Sequence, residues 1–105
     1  MCAVEGKLST NTLLAMPYRL IADRANRAGR DFLQIDSEIG LTFSGIALAA
    51  NDDEKRRRTT RSARKAYDSI ERLRNGVELT DTEQAELDRN LLRLKRELQS
   101  LGETF

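Results

Sequence analysis

Seven of the eleven residues 55–65, within the stretch "DDEKRRRTTRSARKAY", are basic and none is acidic. At helical spacing such side chains can grip phosphate oxygens, and the candidates are Arg57, Arg58, Arg61 and Lys65. The surroundings argue for a more ordinary role. Tyr67 is the only nearby aromatic, so platforms for base stacking are lacking. "TTRSARK" has no Asn or Gln for a bidentate contact to adenine. The whole chain carries a net charge of +1, whereas a general polyanion binder is basic overall. Asp52, Asp53 and Glu54 precede the run, and Asp68 and Glu71 follow it. The first expectation is therefore a solvated helix face with ion pairs four residues apart. An acidic protein partner comes next, and an accessory nucleic-acid contact last.

Other chemistry is limited by what the chain lacks. It has no histidine, and Cys2 is its one cysteine. Cys/His zinc sites, Ser-His-Asp triads and Cys-His pairs cannot be assembled from a single copy. The glycine-rich phosphate loops "GxGxxG" and "GxxxxGK" are missing. No catalytic residue, metal ligand or cofactor is assigned, and the chain is expected not to be an enzyme. The longest nearly uncharged stretch, residues 39–51, is too short to span a bilayer. The first residues lack the charged region and apolar run of a secretory signal. A cytoplasmic protein that does not enter a membrane is the expectation, and one cysteine suits a reducing compartment.

The elements carrying these residues read as helices. Residues 1–16 form a flexible or loosely docked segment, with "EGKLSTNT" rich in turn and cap residues. Residues 17–105 form a single helical domain, with Pro17 placed in a first helical turn. From Ile21 onward, Ala25, Ala28, Phe32, Ile35, Ile39, Phe43, Ile46 and Ala50 recur at steps of three and four, which predicts an inward helix face. Gly29 divides this pattern into an extension, about 17–29, and a first helix, about 31–50, unless the two are continuous. Ala50-Asn51-Asp52 is a turn, with Asn51 or Asp52 as the next cap. The second helix, about 53–75, turns Thr59, Thr60, Ala63, Ala66, Tyr67, Ile70 and Leu73 inward, and Gly76 ends it. The third, about 80–101, opens with a Thr80/Glu83 capping box and carries Leu87, Leu91, Leu94, Leu98 and Leu101 as a seam, with Gly102 closing it. The fold class is all-α, an antiparallel three-helix bundle with an N-terminal helical extension. If the first turn centres near residue 51, Gly40 faces Ala63 and Asp36 lies near Tyr67, whose hydroxyl could bond its carboxylate.

"IGLTF" (39–43) and "ARKAYDSI" (63–70) resemble the two helices of a tetratricopeptide hairpin, although the spacing from Gly40 to Ala63 exceeds that of the repeat. "ARKAYDSIERL" and "LLRLKRELQSL" resemble the second and third helices of the microtubule-interacting-and-trafficking domain. That resemblance implies a three-helix bundle whose grooves bind partner helices, with Leu91, Leu94, Lys95 and Leu98 on or beside such a groove. The chain also resembles small bacterial helical proteins that contain "ARKAY".

Leu41 and Leu48 fall opposite the predicted inward face of the first helix. They need a cover, supplied by the segment around Leu13, Leu14 and Met16, by a partner helix, or by a second copy in a homodimer. The functional expectation is a non-enzymatic protein–protein interaction or scaffold module. Its partner-binding residues would be Leu41, Leu48, Leu91, Leu94, Lys95 and Leu98. The alternative is an accessory nucleic-acid-binding protein using the basic face at 55–65.

Overall fold

The computed structural model describes the backbone of residues 2–105 and the side chains of residues 20–105. The chain forms helix α1 (Cys2–Ala49), α2 (Asp53–Leu73), a 3-10 turn (Arg74–Gly76) and α3 (Asp81–Ser100). α2 returns antiparallel along α1, and α3 runs back beside both.

The helix ends follow the cap chemistry of the sequence. Asp52 accepts from the Glu54 N–H at 3.2 Å and starts α2. Arg56 reaches back across this turn, donating to the Ala50 carbonyl at 2.6 Å and pairing with Asp53 at 3.0 Å. The capping box at α3 is complete. The Glu83 N–H donates to the Thr80 hydroxyl at 3.1 Å, and the Thr80 N–H donates to the Glu83 carboxylate at 2.9 Å. Glu83 is held below the usual carboxylate range, chiefly by that backbone N–H of Thr80. α3 ends at Gly102, whose φ of 96° is left-handed. There the Glu103 N–H bonds the Leu98 carbonyl and the Gly102 N–H bonds that of Gln99, which is a Schellman ending. Gly76 differs from expectation. It has no positive φ, because α2 tightens into the 3-10 turn instead of closing on a left-handed residue.

Gly29 does not break α1, which runs as one helix past it to Ala49. Val77 packs against the place where a Gly29 side chain would stand, its Cγ2 2.7 Å from an ideal Cβ. The glycine thus admits the α2–α3 connection rather than bending the helix. Asn26 fastens that connection with both ends of its amide, accepting from the Glu78 N–H at 2.7 Å and donating to the Glu78 carbonyl at 3.3 Å. The expectation that residues 1–16 form a flexible or loosely docked segment, with Leu13, Leu14 and Met16 as a cover for Leu41 and Leu48, falls outside the described side chains.

The core forms two clusters. Leu33, Ile70, Leu87 and Leu91 make one, covered by Tyr67, Val77 and Leu79. Ala63, Leu94 and Leu98 make the other, with Leu41, Phe43, Tyr67 and Leu101 against it. The predicted leucine seam is therefore core, as is the Thr59-to-Ile70 face of α2, while Leu73 is exposed.

α1 corrects the sequence expectation most. Its buried stripe is Leu33, Ser37, Gly40, Ser44 and Ala47, followed by Ala50. Ile21, Ala25, Ala28, Phe32, Ile35, Ile39 and Ile46, expected inward, are exposed, and Phe43 is half-buried. An ideal Cβ on Gly40 would lie 2.8 Å from a Leu94 methyl and 3.2 Å from the Ala66 Cβ. The close approach foreseen at Gly40 is present, but Ala66 takes the place expected of Ala63.

Candidate interaction surface

Helix α1 is 48 residues long, about 72 Å at 1.5 Å per residue. The molecule measures 74 × 28 × 18 Å. α2 and α3 lie beside the second half of α1, from the Asn26–Glu78 clamp to the Ala50–Arg56 contact. The first half therefore runs past the bundle. Within it, each described residue from 20 to 25 is exposed.

Along this helix the exposed apolar residues keep a heptad. Ala25, Phe32, Ile39 and Ile46 repeat every seven residues, and Ile21, Ala28, Ile35 and Ala49 repeat between them, with the polar Thr42 in the same series. These are the a and d positions of a coiled-coil seam. Phe32 is 42% exposed, Ile35 54%, Ile39 42% and Ile46 37%, too open for a core and too apolar for a solvated face. Phe43, one turn after Ile39, is half-buried against the Ala63/Leu94/Leu98 cluster.

The buried stripe makes polar contacts to α3. Ser44 donates to the Glu97 carboxylate and Asn90 donates to the Ser37 hydroxyl at 3.3 Å. Both serines also bond a carbonyl of their own helix, so neither burial leaves a hydroxyl unsatisfied. A narrow cleft beside them is lined by Arg30, Leu33, Ser37, Leu79, Leu87 and Asn90 among others. Among the described residues, no group of three or more Cys, Asp or Glu side chains is placed to share a metal ion. No helix among them is long and apolar enough to cross a membrane.

The predicted partner-binding residues are placed differently from expectation. Leu91, Leu94 and Leu98 are 5%, 0% and 0% exposed, so they build the core and offer nothing to a partner. Leu41 packs half-buried on the Ala63/Leu94/Leu98 cluster. Leu48 is exposed, but it lies on the bundle side of α1, one turn after Ser44. Lys95 is half-buried, its amine 5.3 Å from the Phe105 ring. The seam residues were visible in the sequence by their spacing, and the error was to turn them inward.

The basic face stays together. Arg57, Arg58, Arg61 and Lys65 are exposed, and among the described residues none has an ion-pair partner. The Asp53–Arg57 and Glu54–Arg58 pairs expected from spacing do not form among the described residues, and Asp53 pairs with Arg56 instead. Arg64 bridges Asp68 and Glu103, donates to the Thr104 carbonyl at 2.7 Å, and lies 4.0 Å over the Phe105 ring. Phe105 in turn meets Tyr67 edge-on at 4.9 Å. No Tyr67–Asp36 hydrogen bond forms among the described residues. Burial pushes both groups' pKa values up, which fits a phenol and a carboxyl without that partnership.

No family model, curated protein or solved structure matches this chain.

Proposed function

We propose that the protein is a non-enzymatic cytoplasmic interaction module that binds a protein helix along the exposed seam of α1. One observation carries this reading: Phe32, Ile35, Ile39 and Ile46 are all more than a third exposed while keeping heptad spacing. An apolar stripe of that length on a helix already packed by its other face is an unfilled helix-binding surface. The resemblance to trafficking-type bundles supports the same class of function. The surface differs from the one that resemblance implies, since the leucines of α3 are occupied in the core. The test is a photo-reactive amino acid placed at Ile39 and, as a control, at exposed Arg89 of α3 in the native cell. Capture at Ile39 well above that at Arg89 is expected. Equal capture at both sites overturns the reading.

A second reading is favoured by Arg57, Arg58, Arg61 and Lys65, exposed and unpaired among the described residues, which could hold an anionic backbone. Four phosphate contacts give a log–log salt slope of about −3.6. Absence of binding to a generic duplex at low salt ends it.

A further inference from the structure

We infer that the occupant of the α1 seam is a second copy of this chain, with the two α1 helices antiparallel and the dyad between residues 26 and 27. This rests on the helix-binding reading above and names its partner. The length of α1 is the first argument. The bundle takes only the second half of the helix, and the first half extends beyond it over a comparable length. An antiparallel pair of full-length α1 helices lays the first half of each along the exposed seam of the other. Each end then becomes a four-helix arrangement of α1, α2, α3 and the partner's α1.

The second argument is register. The heptad that places Phe32, Ile39 and Ile46 on one seam continues backward through Ile21, Tyr18, Leu14, Asn11, Lys7 and Val4 in the sequence. Antiparallel pairing about 26/27 sets Ala25 against the partner's Ala28, Phe32 against the partner's Ile21, and Ile39 against the partner's Leu14. It also sets Asn11 and Thr42 opposite one another, and places Lys7 opposite the partner's Ile46 near the end of the pair. Polar residues at seam positions select the register that pairs them. Alanines stand at the crossing point, where the two backbones come closest.

Charge is the third argument and fixes orientation. In the antiparallel pair Arg24 flanks the partner's Asp31, and symmetry makes this contact twice. A parallel, in-register pair would instead place Asp31 beside the partner's Asp36 and give Arg24 only Gly29. Flanking charges choose between such orientations. Asp36 is already held above its usual range by burial, so a second carboxylate beside it is unwelcome.

The test uses the purified full chain. Light scattering should give twice the mass of one chain. Ile35→Glu with Ile39→Glu should weaken self-association by about 100-fold or more, while circular dichroism keeps the helical signal of the bundle. In a Cys2→Ser background, Ile39→Cys and Leu14→Cys chains are then mixed under mild oxidation. Disulfides joining one variant to the other, with few joining like to like, support the antiparallel pair. An Ile39–Ile39 position disulfide as the main product overturns it, as does a monomer by light scattering or a dimer untouched by the double glutamate variant. A monomer whose Ile39 still captures a different protein in the cell leaves the interaction reading standing. A monomer that captures nothing removes both.

Discussion

Helix α1 carries two stripes of opposite character. The one facing its own bundle is Leu33, Ser37, Gly40, Ser44 and Ala47, mostly small and partly polar. The one facing away holds Phe32, Ile35, Ile39 and Ile46, large and apolar, with Thr42 among them. Hydropathy alone would reverse them. The difference is explained by what the neighbouring helices bring. α3 supplies Leu87, Leu91, Leu94 and Leu98, and these fill the space between helices, so the opposing face must be small enough to receive them. Large side chains on both sides would hold the backbones apart. Side-chain volume, matched across an interface, decides which stripe packs within the chain.

The contrast predicts unequal responses to equal changes. Leu98→Ala removes a fully buried side chain and should lower the unfolding free energy by about 3 kcal/mol in urea titration. The same truncation at Ile39 should barely change the stability of the single chain. Any loss there should depend on protein concentration, as expected for an interface between copies. An equal, concentration-independent loss at both positions would erase the distinction between the stripes.

The glycines of α1 provide a finer comparison. Gly40→Ala drives a methyl into Leu94 and Ala66 and should cost about 1–2 kcal/mol despite the better helix propensity. Gly45, one turn and a little further on, has no atom within 4 Å of its would-be Cβ, and Gly45→Ala should stabilise by about 1 kcal/mol. Thermal unfolding of the two variants should therefore move in opposite directions. Ser44→Ala should cost about 1 kcal/mol by depriving Glu97 of its donor across the α1–α3 contact.

Acid should act on two carboxylates of α3. Glu83, bound by the Thr80 N–H, and Asp88, bound by Arg74, both have lowered pKa values. A depressed carboxylate contributes stability that is present at neutral pH and lost as pH falls through its folded-state pKa, below the usual carboxylate range. Denaturation midpoints should fall in that window. Arg74→Met should lessen the part of the loss that belongs to Asp88.

The caps and α3 were legible in the sequence because their signals are local. Asp52, the Thr80/Glu83 box, Gly102 and the leucine spacing each depend on residues within a turn or two. The orientation of α1 was not legible, since both stripes have helical periodicity and only the partner's side-chain volumes choose between them. The Phe105 ring on Tyr67 and Arg64 was hidden for a related reason. It joins residues about forty positions apart that share no periodic pattern. The candidate surface was half legible: its residues stood out by spacing, and their exposure required the fold.

The turn at Ala50-Asn51-Asp52 also bears on the order in which the bundle assembles. Three residues separate α1 from α2, and Arg56 bonds back across them to the Ala50 carbonyl. Closing so short a loop loses little chain entropy, so the α1/α2 hairpin can zip outward from this point, beginning with Ala47 and Thr59 and reaching Gly40 and Ala66 next. α3 docks through contacts such as Ser44–Glu97, which span 53 residues and acquire their geometry only after the hairpin exists. A refolding transition state with an organised Ala50 turn and an undocked α3 follows. Substitutions near that turn would then slow folding, and those in the leucines of α3 would mainly quicken unfolding.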